Sequence, residues 1–204
     1  QSAYGDAIDM LAEIAEFKDK TTGGHVKRID AYTCLVAQEM GIPADQAVAY
    51  GKASRLHDVG KIGIPDDILR KPGKLTPEEF EVMKTHVNIG ASILSHNPAL
   101  AMAREVAQSH HERWDGTGYP SGRPASEVSL LTRIVSVVDV FDALLSRRPY
   151  KDPWSIREAA AAIEAGAGTQ FDPAVVDAFL KLLRRGDLQT LIESAQRNNE
   201  RPIH

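Results

Sequence analysis

The chain has 204 residues, 43% of them hydrophobic and 6% aromatic, with a formal net charge of −4. That length suits one compact domain, the low aromatic share argues against a β-rich fold, and the charge argues against general DNA binding. Cys34 is the only cysteine, which excludes an intrachain disulfide or a cysteine-based metal cluster, and no apolar run approaches the roughly 20 residues that cross a bilayer.

The chain opens at Gln1 rather than Met and shows no signal peptide, so a piece of a longer, cytoplasmic protein is expected. Residues 3–18 read as an amphipathic helix, with Ile8, Leu11, Ile14 or Ala15, and Phe17 or Lys18 near helical spacing. It is either the first helix of the fold or a connection from an upstream domain. Lys20–Gly24 breaks it. Helices are expected over 26–40, where Cys34 reads as a small core residue, and over 44–57, parted by Gly41-Ile42-Pro43.

Thr76-Pro77-Glu78-Glu79 predicts a helix start, with Thr76 capping and Glu79 completing a capping box. Phe80, Met83, Val87, Gly90 and Ile93 or Leu94 then mark one face. Further helices are expected over 98–112 and 129–146, and the Gly/Pro-rich piece 115–124 between them is loop. Asp152-Pro153 and Asp172-Pro173 each open another, and Asp187 starts a C-terminal helix and tail within 185–204. Nothing alternates with period two. The reading is all-α: one domain over 1–204 with about eight or nine helices.

Seven histidines are spread along this frame. His57 is followed by Asp58. His110 and His111 are adjacent, and neighbours on a helix point roughly 100° apart, so the pair can address two atoms in one cleft. The segment 129–146 is apolar around most of its circumference and should be buried, yet it contains Asp139 and Asp142. A buried carboxylate must be paired, protonated or bound to a cation. A metal accounts for the histidines and the aspartate together. Nitrogen and oxygen donors without thiolate suit Fe, Mn, Ni, Co or Zn. His96 and His204 read as ordinary solvated or satisfied histidines.

His57-Asp58-Val59-Gly60-Lys61, together with the stretch His110–Pro120 (HHERWDGTGYP), closely resembles the paired signatures of the HD-GYP family, a branch of the HD phosphohydrolase superfamily. TGGHVKRI (22–29), MKTHVNIG (83–90), VVDVFDALLSRRPYK (137–151) and GTQFDP (168–173) resemble that family's remaining motifs, in order, so the likeness covers roughly residues 3–183. The resemblance implies an all-helical domain around a metal-containing cleft that hydrolyses the bacterial second messenger cyclic di-GMP, to linear pGpG or GMP, with a metal-activated hydroxide. It implies His25, His57, Asp58, His86, His110, His111 and Asp139 as metal ligands, Asp58 bridging two ions. Fe or Mn is the expected metal, with Ni, Co or Zn as alternatives.

Asp142 matches no ligand position and is expected to make a helix-packing hydrogen bond. Lys61, three residues after Asp58, is expected to meet charge developing on the phosphate or the leaving oxygen. Gly116 and Gly118 would shape the loop after the histidine pair, and Tyr119 would stand against a guanine base or a phosphate. The resemblance further implies Arg148 and Lys151 as phosphate binders. Some family members carry a glutamate four residues before the first histidine, associated with a third metal. Thr21 stands there, which favours two. The family usually joins this domain to a sensor or receiver, and a homodimer or a signalling-protein partner is the further expectation. Two competing functions stay open: a cyclic di-GMP-binding module without turnover, and a phosphodiesterase for another cyclic dinucleotide.

Overall fold

A computed structural model describes residues 3–19, 24–124, 127–146 and 152–199. Among them are eleven α-helices and no strand, only an isolated bridge between Ala167 and Phe171. The chain runs α1 (Ala3–Asp19), α2 (His25–Glu39), α3 (Ala44–Ser54), α4 (Asp66–Leu69), α5 (Pro77–Lys84), α6 (His86–Leu94), α7 (Ala101–Ser109), α8 (Leu130–Leu145), α9 (Ile156–Ala165), α10 (Pro173–Arg185) and α11 (Gln189–Asn199). Single 3₁₀ turns lie at Val59–Gly63 and Pro98–Leu100.

The all-α expectation holds, and the surplus over nine helices has two sources. α4 is a single four-residue turn. The helix expected from Thr76 onward is two helices, broken at Thr85. Its start is as predicted: the Thr76 side chain accepts from the Glu79 amide at 3.3 Å, and Glu79 accepts from the Thr76 amide at 2.7 Å. The single apolar face does not survive the break. Val87, Gly90 and Leu94 are buried on α6, whereas Phe80 and Ile93 are exposed.

Other boundaries move for local reasons. α3 stops at Ser54 rather than 57, and α7 stops at Ser109 rather than 112, so the ligand-type histidines lie in the turns that follow. Asp172 caps α10 through the Ala174 amide, with Pro173 in its first turn, as expected. Asp152-Pro153 opens nothing directly, because Ser155 and Glu158 form the capping box of α9. α11 begins at Gln189, two residues after Asp187. Cys34 is only half-buried, packed at the margin of the core.

α8 is the axis of the molecule. Ile134, Val137, Val138, Phe141 and Leu145 join one apolar cluster with α2, α9, α10 and α11, while Leu131 and Val135 join a second with α1, α3 and α7. Burial on both sides is what its nearly all-round apolar sequence required. α1 packs inward through Ile8, Ala12 and Ala15 and leaves Met10, Ile14 and Phe17 exposed. No helix among the described residues is long and apolar enough to cross a membrane.

Candidate metal centre

The cleft is assembled from five places along the chain. His25 is the first residue of α2, His57 and Asp58 sit in the turn after α3, and His86 opens α6. His110 and His111 follow α7, and Asp139 lies in the middle of α8. Two groups of donor atoms result, each within 4.8 Å: Asp58, His86, His110 and His111 in one, His25, His57 and Asp139 in the other. All seven expected ligand residues are therefore brought together.

Backbone carbonyls orient three of the imidazoles. His57 Nδ1 lies 2.9 Å from the Ser54 carbonyl, His86 Nδ1 2.7 Å from that of Met83, and His110 Nδ1 3.0 Å from that of Val106. A carbonyl only accepts, so each Nδ1 carries the proton and each Nε2 presents a lone pair. Those three Nε2 atoms and Asp58 Oδ1 are buried and have no hydrogen-bond partner. Four lone-pair atoms so placed are costly unless a cation lies among them. This donor set fits divalent transition ions.

Asp58 faces both groups. Its Oδ2 is 3.3 Å from His57 Nε2, and its Oδ1 is 3.5 Å from His86 Nε2 and 3.7 Å from His110 Nε2. Asp139 Oδ1 closes the other group at 3.5 Å from His25 Nε2 and 3.6 Å from His57 Nε2. Ligands held at about 2.0–2.2 Å from one ion are spaced on this scale.

The electrostatics agree. Burial would lower the His57 imidazole, yet Asp58 and Asp139 push it up to about 10. Positive charge is favoured at this point, whether carried by a proton or by a metal ion. Burial draws His86 down to about 4, so at neutral pH its imidazole is neutral. Burial would raise the Asp58 carboxyl, but Lys61 and the histidines hold it well below the usual range. Lys61 Nζ is 2.8 Å from Asp58 Oδ2.

Asp142 does more than the expected packing bond. It is fully buried, and its Oδ2 accepts from His25 Nδ1 at 2.7 Å while Arg28 donates to both oxygens at 2.7 and 2.9 Å. His25 is anchored a second time through its backbone. The Glu16 carboxylate accepts the Gly24 and His25 amides at 3.1 and 3.0 Å, which caps α2 from a neighbouring helix.

The acidic residues of HHERWDGTGYP build the loop and join neither donor group. Buried Glu112 accepts the Ser121 amide at 2.9 Å and the Arg123 amide at 3.2 Å. Asp115 accepts the Thr117 amide at 3.0 Å and its hydroxyl at 2.6 Å. Gly116 has φ of +75°. At Gly118 the need is space, because an added Cβ would collide with backbone of His111, Glu112 and Arg113. Tyr119 stacks on His111, with ring centroids 4.7 Å apart. The GTQFDP segment braces this loop from outside: the Trp114 amide donates to Gln170 O at 3.1 Å and the Asp115 amide to Thr169 O at 2.9 Å.

Thr21, Arg148 and Lys151 lie outside the described residues, as does His204, and His96 is exposed. Arg28, Glu112 and Gly60 lie within the TGGHVKRI, HHERWDGTGYP and HDVGK motifs without a role that residue type alone assigns, and Glu16 lies in none of them. A Cβ at Gly60 would strike the His86 carbonyl and the Gly90 amide, so glycine lets the Asp58 turn lie directly on α6.

The model of a family described as "HD domain" matches residues 9–175. The chain belongs to the HD domain family. It is 47% identical over 179 residues to a "Cyclic di-GMP phosphodiesterase" of Thermotoga maritima, an alignment covering 87% of this chain and 49% of that protein. It is 43% identical over 178 residues to the "Cyclic di-GMP phosphodiesterase response regulator RpfG" of Xanthomonas campestris, covering 86% of this chain and 47% of that one. A "3'3'-cGAMP-specific phosphodiesterase 2" of Vibrio cholerae is 40% identical over 178 residues, covering 86% and 34%. The chain thus spans about half the length, or less, of these curated relatives. Among solved structures, a cyclic GMP-AMP-specific phosphodiesterase of V. cholerae (V-cGAP3) has a TM-score of 0.67 at 19% identity, covering 96% of this chain and 54% of that one. Bd1817, an HDG"Y"P protein of Bdellovibrio bacteriovorus, has a TM-score of 0.65 at 19% identity, covering 88% and 61%. The HD-GYP resemblance and the all-α HD fold are both borne out.

Proposed function

We propose that this HD domain is a metal-dependent phosphodiesterase that hydrolyses cyclic di-GMP. The observation that carries the reading is the convergence of His57, His86 and His110 Nε2 with Asp58 Oδ1, all buried and without hydrogen-bond partners. Relatives named for this activity support the substrate. His25, His57 and Asp139 would hold one divalent ion, His86, His110 and His111 a second, with Asp58 between them, and Fe or Mn is our preferred metal. When bound, two such ions supply the Lewis acidity and the acidified water that phosphodiester cleavage requires.

The chain's own residues divide the remaining work. Lys61 keeps Asp58 ionised and sets a positive charge beside the reacting phosphate. Gly118 allows the loop to fold against His111, and Tyr119 screens that imidazole from bulk water. Arg148 and Lys151, which follow the helix carrying Asp139, bind the phosphates. We read α1 as the joint to an upstream sensor or receiver domain, its inner face packed on the core and its outer face free, in a cytoplasmic signalling protein.

The test is elemental analysis of the purified protein with turnover measured on the same sample, using cyclic di-GMP, 3'3'-cGAMP and cyclic di-AMP. We expect about two metals per chain and fastest turnover of cyclic di-GMP. Preferred turnover of 3'3'-cGAMP would move the substrate to that of the Vibrio relative. Binding of cyclic di-GMP by the metal-loaded protein without hydrolysis would reduce the domain to a sensor. Asp58→Ala should lose metal and turnover together, since one carboxylate serves both ions. Full metal content with normal turnover in that variant would sink the assignment.

A further inference from the structure

Phe80 lies beside Tyr119, one ring removed from His111, without being part of the core. It lies on α5, none of whose residues is buried, and is itself 45% exposed. Its ring meets that of Tyr119 edge to face, with centroids 6.2 Å apart and planes at 82°. Tyr119 in turn stacks on His111. The Lys84 ammonium lies 5.6 Å from the Phe80 centroid and 5.8 Å from that of Tyr119, and is ion-paired with Glu81 at 2.7 Å. Two rings at right angles, rimmed by a cation, therefore adjoin the donor group that contains His111. Packing gives little account of Phe80, because a large aromatic left half in water contributes only part of its burial energy.

We propose that Phe80 is the stacking wall for a purine base of the substrate, with Lys84 at the base's acceptor edge. The proposal rests on reading the cleft as a cyclic dinucleotide phosphodiesterase. A nucleotide whose phosphate lies at the histidine ligands projects its base outward by the width of a sugar, toward the rim that Tyr119 and Phe80 form. Aromatic side chains offer any base a face to stack on. The ammonium of Lys84 only donates. It suits the O6 and N7 acceptors of guanine and is mismatched to the N6 amino group of adenine.

The experiment uses the metal-loaded chain and its Phe80→Ala, Phe80→Trp and Lys84→Met variants. Competitive inhibition by GMP is compared with inhibition by ribose 5-phosphate, which has the sugar and phosphate but no base. Phe80→Ala should raise the KM for cyclic di-GMP and the inhibition constant of GMP by roughly 5- to 150-fold, the scale of one base stack. Ribose 5-phosphate inhibition and metal content should not move, and Phe80→Trp should restore the affinity. Equal inhibition by GMP in the wild type and Phe80→Ala overturns the wall, as does a parallel loss for both inhibitors. Lys84→Met should narrow the preference for cyclic di-GMP over cyclic di-AMP, and an unchanged ratio removes Lys84 from the proposal. If the wild type hydrolyses no cyclic dinucleotide, the phosphodiesterase reading is what has failed. Equilibrium binding of GMP to wild type and Phe80→Ala then decides the wall by itself.

Discussion

Asp142 Oδ2 lies 2.7 Å from Nδ1 of His25, and the same carboxylate is gripped by Arg28. Burial alone would raise this carboxyl, but the hydrogen bonds from His25 and Arg28 outweigh it and hold the group below its ordinary range. An ionised Asp142 must accept from Nδ1, so His25 presents its Nε2 lone pair toward Asp139. Asp142 therefore orients His25 while standing outside both donor groups.

That role predicts a difference between two substitutions. Asp142→Asn keeps the volume but loses the charge, and metal affinity should fall by about 10- to 100-fold, the usual cost of losing a partner behind a ligating histidine. Asp142→Ala also leaves Arg28 buried without its carboxylate, so it should destabilise the fold by about 3–5 kcal/mol. Metal titration and denaturant unfolding separate the two effects. Unaltered metal affinity in Asp142→Asn would show that His25 needs no orienting partner.

Gly60 predicts a defect of packing rather than of charge. A methyl group there would first meet the backbone of His86 and Gly90, and neither is the flexible end of a side chain. Gly60→Ala should cost about 1–3 kcal/mol, as overpacking does, and should separate the Asp58 turn from α6. The group that joins Asp58 to His86 and His110 should then lose metal more readily than the group at His25 and Asp139. Elemental analysis would read about one retained ion per chain. Two fully retained ions with unchanged stability would show that the turn has room to move.

Much of this site was legible as residue types in order. Adjacent histidines after a helix, an aspartate following a histidine, and a carboxylate inside an apolar helix each signal chemistry before any fold is known. The division of labour was not legible, because it depends on which backbone carbonyl each Nδ1 meets. Ser54, Met83 and Val106 supply those carbonyls through turn geometry that periodicity does not reveal. As residue types Asp139 and Asp142 look alike, and the motif resemblance alone marks Asp139 and not Asp142 as a ligand position; the contacts of Asp142 with His25 and Arg28 supply the physical reason. No glycine or proline marks the break at Thr85, so helical spacing runs on unbroken from Phe80 to Leu94 in the sequence. The same spacing places Phe80 on one face with Val87, where it has the pattern of a core residue although it is exposed.

The loop after His111 is held by its own acidic residues, and each predicts a distinct response. Glu112→Ala removes a buried acceptor from the Ser121 and Arg123 amides, and should cost about 1.5–3 kcal/mol, the scale of hydrogen bonds to a charged group. Metal content should stay the same, because Glu112 lies outside both donor groups. Asp115 is exposed, and hydrogen bonds from the Thr117 hydroxyl and amide hold it at about 2. Its folded value lies below the unfolded one of about 3.9, so its contribution is complete above the unfolded value and is lost as pH falls through about 2. Amide exchange at Thr117 should therefore stay protected down to about pH 3. Loss of protection already at about pH 4 would show that Asp115 titrates as an ordinary exposed carboxyl.

Arg148 and Lys151 carry the last prediction. The chain is acidic overall, with a net charge of −4, so a dianionic cyclic dinucleotide needs local positive charge in addition to metal ions. The RRPYK segment follows α8, the helix that carries Asp139, and it adds three cations within five residues. An arginine grips phosphate oxygens with a bidentate fork, whereas a lysine acts more as a point charge. The competing account is a solvated cluster after a helix C-terminus, favoured there by the helix dipole. The two accounts part on what a substitution changes. As a phosphate binder, Arg148→Ala should weaken cyclic di-GMP binding by about 1.5–3 kcal/mol, with metal content and melting temperature nearly constant. As a dipole partner, it should lower stability by about 0.3–1 kcal/mol and leave affinity alone. Calorimetric titration of cyclic di-GMP into the Arg148→Ala, Lys151→Ala double variant, alongside its thermal unfolding, reads both quantities on one sample. Unchanged affinity would decide for the helix-end account.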